Sequence, residues 1–204
     1  MENELAAIRK WLGQGSINIF GMPFAGKDTQ GTVLATLFGA ELMGGGQILR
    51  NSVIPPAIKR ELDAGNLFPT KEYLRIVLPY LSSEQFKGKP LILSSVGRWH
   101  GEEPGVLEAT AAAGHPTKAV IYLSVDEAVA RQRHQQAHIA ADRGERADDA
   151  PEILANRLNE FREKTLPVID FYRQRDLLIE IDGSPEPPEV TSAILGKLAA
   201  LARV

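Results

Sequence analysis

Residues 21–27 read GMPFAGK: a glycine, four intervening residues, a second glycine and a lysine. That spacing suits a loop that cradles phosphate. Backbone N–H groups of such a loop turn inward onto phosphate oxygens, and the dipole of a following helix adds a favourable potential. Gly21 and Gly26 permit conformations that a side chain would obstruct. Lys27 brings a mobile positive charge to the β- and γ-phosphates of a nucleoside triphosphate. Phe24 and Ala25 occupy the loop interior. One feature is out of pattern. The residue after the lysine is Asp28 rather than Ser or Thr, and a hydroxyl arrives only at Thr29, followed by Gln30.

Arginines are the second signal, through their positions rather than their number. Phosphoryl transfer needs in-line alignment and stabilisation of charge spread over oxygens, with little covalent help. Guanidinium forks give bidentate, permanently charged contacts to phosphate that strengthen once water is excluded. Arg146 stands just before Asp148 and Asp149, in a polar stretch over residues 137–147 whose length suits a functional lid. On a solvated surface these same charges would merely pair with one another and contribute little. His134 and His138 share an i, i+4 spacing that can hold a metal. No third ligand of suitable type accompanies them, so they are expected on a solvated helix face.

These residues need elements to position them. The 204-residue chain is 44% hydrophobic and 24% charged, with a formal net charge of −3 and no cysteine. This is the composition of an ordinary single globular domain, without disulfides or thiolate metal sites. The charge gives no reason to expect nucleic-acid binding. No apolar run approaches the ~20 residues of a membrane-spanning helix, and the charged N-terminus lacks a signal-peptide core, so a cytoplasmic location is expected. A monomer is the default expectation, on which these patterns do not bear. Short apolar, β-branched runs at 16–20, 91–94, 119–123 and 177–181, with a shorter one at 40–43, alternate with amphipathic patterns. That alternation predicts an α/β fold with a central parallel five-stranded sheet covered on both faces. Helices are predicted at 3–12, 27–37, 104–113, 126–136, 151–172 and 187–201. The core is expected over 16–43, 87–136 and 149–204, with a helical insertion at 44–86, a lid at 137–148 and an extra N-terminal helix within 1–15.

The string GMPFAGKDTQ (21–30) resembles the G-x-P-G-x-G-K-G-T-Q loop of adenylate kinases and related nucleoside monophosphate kinases. The likeness extends along the chain after Ser16. GGGQILR (44–50) sits where that family has S-T-G-D-x-x-R, and AGNLFP (64–69) resembles A-G-x-L-V-P. SSVGR (94–98) follows a strand as D-G-F-P-R does, and RADD (146–149), Arg157-Leu and KTLPVIDFY (164–172) resemble R-x-D-D…R-L…T-x-P-L-I-x-x-Y. The resemblance implies a P-loop NTPase-type three-layer fold with a nucleoside monophosphate-binding insertion and a short lid. It implies phosphoryl transfer from ATP, with Mg²⁺, to a nucleoside monophosphate, most readily AMP, and a role in nucleotide biosynthesis. Gly21, Phe24, Ala25, Gly26, Lys27, Asp28, Thr29 and Gln30 would hold the triphosphate, with Arg133 stacked on its adenine and Gly183 beside it. Gly45, Arg50, Arg98 and Glu102 would receive the acceptor. Lys27, Arg98, Arg146 and Arg157 would stabilise the transferring group, and Asp148 and Asp149 would orient the lid arginines.

The departures from that pattern cluster at the acceptor and the metal. Gly45 and Gln47 replace a threonine and an aspartate, and Ser94 replaces an aspartate that helps hold the Mg²⁺ water shell. No direct protein ligand to the metal is expected unless Asp28 compensates. Its bland alternative is a helix-start aspartate stabilised by the dipole. Glu102 accepts hydrogen bonds only, which suits a guanine edge better than adenine; alternatively, Glu102 and Glu103 are exposed acids ahead of a helix. Other acceptors (GMP, CMP, UMP or dTMP), a non-catalytic nucleotide-binding module and a kinase for a non-nucleotide acceptor therefore stay open at this point.

Overall fold

The computed structural model describes residues 2–46, 56–64, 66, 75–76, 79–140 and 151–203. Five strands form one parallel sheet: β1 (Ser16–Gly21), β2 (Glu41–Gly44), β3 (Leu91–Ser94), β4 (Thr117–Ser124) and β5 (Leu178–Asp182). Their order is β2-β3-β1-β4-β5, so the strand that leads into the glycine-rich loop lies at the centre. Around them run α1 (Glu2–Leu12), α2 (Lys27–Phe38), α3 (Pro56–Asp63), α4 (Glu103–Ala112), α5 (Glu127–Ala140), α6 (Pro151–Glu160), α7 (Leu166–Arg173) and α8 (Pro187–Leu201). This is the expected three-layer α/β fold.

Alternation along the strands explains the layers. Ile17 and Ile19 of β1, Ile92 of β3 and Ala119, Ile121 and Leu123 of β4 face one core with α1, α2 and α8. The intervening residues face the other side and build two smaller cores. One gathers Leu91 and Leu93 with Phe86 and Val106; the other gathers Phe20, Val120 and Tyr122 with Phe161, Ile169 and Tyr172. Both faces are apolar because both are covered, which is why these strands read as unbroken hydrophobic runs. Asn18, between Ser16 and Phe20 on β1, is an exception: like Ser16 on the same strand and Ser94 on β3 it is buried and polar, and it sits on the face that carries the two smaller cores.

The N-terminal helix packs as its apolar spacing suggests. Ile8 and Leu12 are fully buried in the main core. Arg9 donates from Nε and Nη2 to the Leu37 carbonyl at the end of α2, at 2.8 and 2.6 Å.

Two helices differ from expectation. α5 continues through residue 140, so 137–140 are helical rather than part of an irregular lid; Ala137 and Ala140 are strong helix formers. The single helix expected over 151–172 is three pieces, because the five residues Phe161–Thr165 form a π turn between α6 and α7. Pro167 is the reason. It has no N–H to give to the preceding turn and its ring crowds a carbonyl there, and a widened turn accommodates both. Of the insertion at 44–86, the described residues include α3 and a short 3₁₀ turn, Glu84–Phe86. Gln47, Arg50, Arg146, Asp148 and Asp149 lie outside the described residues, as does the lid from 141 onward.

Candidate active site

β1 has β3 on one side and β4 on the other, so the loops leaving the C-terminal ends of these strands diverge around residues 21–27. A parallel sheet binds ligands at such a switch point.

The loop itself is tight. Ala25 N donates to Met22 O at 3.1 Å, and two residues are left-handed, Phe24 (φ 64°) and Gly26 (φ 92°). Left-handed residues within a tight turn direct backbone amides to one side, which makes an anion-binding concavity. A Cβ at Gly26 would meet no atom within 4 Å, so the glycine serves its dihedral angle rather than a lack of room. Phe24 holds the same kind of angle without that freedom. Its ring is buried and meets the His134 ring edge-on, centroids 5.0 Å apart at 81°. His134 is thus a buried packing partner and not a solvated face residue, because the loop folds its phenyl ring over α5. The side chain of His138 is outside the described residues, and no group of three His, Cys, Asp or Glu able to hold a metal occurs among those described. Lys27 arches back over its own loop, with Nζ 2.8 Å from Met22 O.

A cleft of about 360 Å³ opens beside the loop, within the range of small-ligand sites. Phe24, Ala25, Gly26, Thr29 and Gln30 form one wall, Arg133 and Gln136 of α5 another, and Gly183, Pro185 and Pro187 the third. Arg133 Nη2 donates to the carbonyls of Gly183, Ser184 and Pro185 at 2.9, 3.0 and 3.4 Å. Its planar guanidinium is therefore fixed, ready to serve as a shelf for an aromatic ring. Gly183 lets the chain after β5 come close: a Cβ there would stand 2.9 Å from Val125 Cγ1 and 3.3 Å from Ala25 O. Gln30 is committed internally, donating to Pro187 O at 2.9 Å and accepting from Thr191 at 2.8 Å, so it braces α2 against α8. At the base of the third wall the Ser184 N–H donates to Asp182 at 2.9 Å and, with its hydroxyl, holds that carboxyl below its ordinary value. A lowered carboxyl keeps this turn anchored at neutral pH and releases it only as pH falls through the lowered value.

On the other side of the loop the chain after β3 is held at four points. Ser94 Oγ donates to Asp28 Oδ1 at 3.0 Å, and Ser95 N donates to Ile19 O at 3.0 Å. Asn18 grips Val96 twice, donating to its carbonyl at 2.7 Å and accepting from its amide at 3.2 Å. Thr165, in the π turn, donates to Arg98 O at 3.0 Å. These ties fix the backbone of half-buried Arg98 relative to Lys27. Next to it Lys164 Nζ lies over the Trp99 ring, 4.1 Å from its centre. Glu102 and Glu103 are not exposed acids; both are buried. Glu102 accepts from Trp99 N at 3.0 Å, and Glu103 accepts from Gly101 N at 2.6 Å and pairs with His100 at 2.8 Å. Arg157 lies half-buried on α6, and Gly45 is buried directly after β2.

Mg²⁺ requires hard oxygen donors and keeps much of its water. Asp28 and Ser94 offer a carboxylate and a hydroxyl beside Lys27, so the donor chemistry here fits that ion. Asn18 and Thr165 had no assigned role from sequence alone. The only signal for Asn18 is a lone amide in an apolar strand, and for Thr165 a hydroxyl before Leu166-Pro167.

The family model for adenylate kinase matches residues 19–177. The chain belongs to the adenylate kinase family. It is 33% identical over 188 residues to an adenylate kinase of Clavibacter michiganensis, covering 89% of this chain and 91% of that one. To an adenylate kinase of a Nocardioides species it is 31% identical over 192 residues, covering 88% and 95%. Among solved structures, a gluconokinase from Sinorhizobium meliloti superimposes with a TM-score of 0.63 over 93% of this chain and 94% of that one. At 21% identity that likeness shows the fold alone. As a member of the adenylate kinase family the chain is a nucleoside monophosphate kinase, a phosphotransferase that works with ATP and Mg²⁺. No helix among the described residues is long and apolar enough to cross a membrane.

Proposed function

We propose that this kinase phosphorylates AMP, converting ATP and AMP into two ADP. The observation that carries the reading is the placement of Lys27 and Arg98 on two loops tied together around β1, in a chain that matches adenylate kinase along most of its length. In this reading the loop amides of residues 21–27 and Lys27 hold the donor phosphates. The donor base enters the cleft against Arg133 and Gly183. Arg98 and Arg50 grip the acceptor phosphate beside Gly45. Arg146 comes from the lid and Arg157 from α6, with Asp148 and Asp149 orienting the lid. Their shared work is to hold donor and acceptor in line and to spread the charge of the moving phosphoryl group. Bound Mg²⁺ supplies charge neutralisation on the donor phosphates. Glu102 shapes acceptor recognition by fixing the turn after Arg98. The insertion (44–86) and the lid (137–148) close over the two substrates and exclude water, so that phosphate is not lost to hydrolysis. The enzyme acts as a cytoplasmic monomer, where its nucleotides are; a dimer in size-exclusion chromatography would count against that state.

Coupled ADP release with AMP, GMP, CMP, UMP and dTMP in turn tests the assignment. AMP is expected to give the highest kcat/KM, and a higher value with any other acceptor would replace it. Lys27→Ala should abolish transfer with the fold intact. Arg98→Ala should chiefly raise the acceptor KM; an unchanged KM would remove it from the site.

A further inference from the structure

P-loop enzymes hold Mg²⁺ from two places: a hydroxyl that follows the loop lysine and a carboxylate on a nearby strand. This chain keeps the loop hydroxyl one residue later, at Thr29, and moves the carboxylate. The residue after Lys27 is Asp28, and the residue at the end of β3, the strand next to β1, is Ser94. Ser94 is buried, and its hydroxyl donates to Asp28 Oδ1 at 3.0 Å. The two side chains therefore meet directly, one residue along the chain from Lys27. Moving the carboxylate from the strand to the helix leaves it within one hydrogen bond of the strand position.

We infer that Asp28 is the carboxylate that holds the water shell of the donor's Mg²⁺, with the Ser94 hydroxyl orienting it. The inference rests on the phosphoryl-donor reading above but not on the choice of acceptor. The Ser94 bond engages one carboxylate oxygen in a defined direction. Outer-shell bonds of this kind orient the groups that hold a metal.

A plain helix-start aspartate and a metal-holding one differ in sign. Without metal, Asp28 is a negative charge beside the donor phosphates and opposes their binding. With metal, it holds the ion and favours binding. The probe is β,γ-imido ATP, which is not consumed, with Mn²⁺ reporting metal affinity by electron paramagnetic resonance. In Asp28→Asn, Mn²⁺ affinity for the protein–nucleotide complex should fall about 10- to 100-fold. In EDTA the same variant should bind the nucleotide as tightly as the native chain or more tightly. The double variant Asp28→Ser with Ser94→Asp returns the carboxylate to the strand and should recover most of the Mn²⁺ affinity. Thermal melting of each variant confirms that it is folded. Unchanged Mn²⁺ affinity in Asp28→Asn overturns the inference, as does a double variant no better than Asp28→Asn. A preference for an acceptor other than AMP overturns the substrate assignment and leaves this inference standing. Failure of the native chain to bind β,γ-imido ATP overturns both this inference and the donor reading.

Discussion

Phe24 sets two energies against each other. Its left-handed backbone costs a residue with a Cβ about 1–2 kcal/mol relative to glycine. Its ring, buried against His134, repays that cost through packing. Phe24→Gly and Phe24→Ala should both lose roughly 2–4 kcal/mol with the ring. The glycine variant should nevertheless be the more stable of the two by about 1 kcal/mol, the reverse of their usual order. Urea unfolding midpoints decide it, and an alanine variant at least as stable as the glycine one would show the strain to be negligible. Asn18 carries a different kind of stake. Asn18→Leu keeps the volume but leaves the Val96 amide and carbonyl unpaired in a buried place, at about 1–3 kcal/mol for each. Because Val96 is two residues from Arg98, the acceptor KM should rise as well. A variant as stable as the native chain would show that the amide grips nothing of value. Both residues stand in strings that read clearly as strand and loop, yet neither contact was legible. The reach of a side chain across 78 positions, as from Asn18 to Val96, leaves no local pattern.

The π turn shows what element-level reading can and cannot reach. Helical spacing identified residues 151–172 correctly as helical, since Leu154, Leu158, Val168, Ile169 and Tyr172 all turn inward. Spacing alone did not reveal that the register is reset at Phe161–Thr165, even though Pro167 was in plain view. A proline can be met by a kink, a break or a widened turn, and only the surrounding packing selects one. The turn has a use: it presents the Thr165 hydroxyl to the Arg98 carbonyl and the Lys164 carbonyl to the His100 amide, at 3.0 and 3.2 Å. Thr165→Val keeps the shape and removes one donor, and should cost about 1 kcal/mol of stability. Its diagnostic effect is kinetic: a higher acceptor KM with an unchanged KM for ATP. Equal changes in both would mean that the turn supports the whole fold rather than the Arg98 loop. The course of the phosphate loop, though not the Phe24 contact, was by contrast legible, because a motif fixed by backbone geometry must write that geometry into consecutive residues.

At the scale of the molecule, the five parallel strands and the covered sheet followed from apolar runs, while the order β2-β3-β1-β4-β5 and the docking of α1 did not. Its stripe of Leu5, Ile8 and Leu12 announced an amphipathic helix but not the surface it would meet. Burying Ile8 and Leu12 contributes about 3–6 kcal/mol together, a large share of the ~5–15 kcal/mol that holds a domain folded. Deleting residues 2–12 should therefore lower the melting temperature steeply while leaving Lys27, Arg98 and Arg133 in their places. A truncated chain with native melting would show the segment to be dispensable. The bond from Arg9 to Leu37 carries a wider consequence. α2 has 12 residues, so about 18 Å separate its two ends. In the proposed reading one end receives the donor phosphates, while the other rests on a guanidinium from the first helix. A strut gripped at both tips transmits what happens at either, and coupling of that sort runs equally in both directions. The leading segment, far from any chemistry, should then act as a tell-tale for occupancy, its amides exchanging with deuterium more slowly once ATP has arrived.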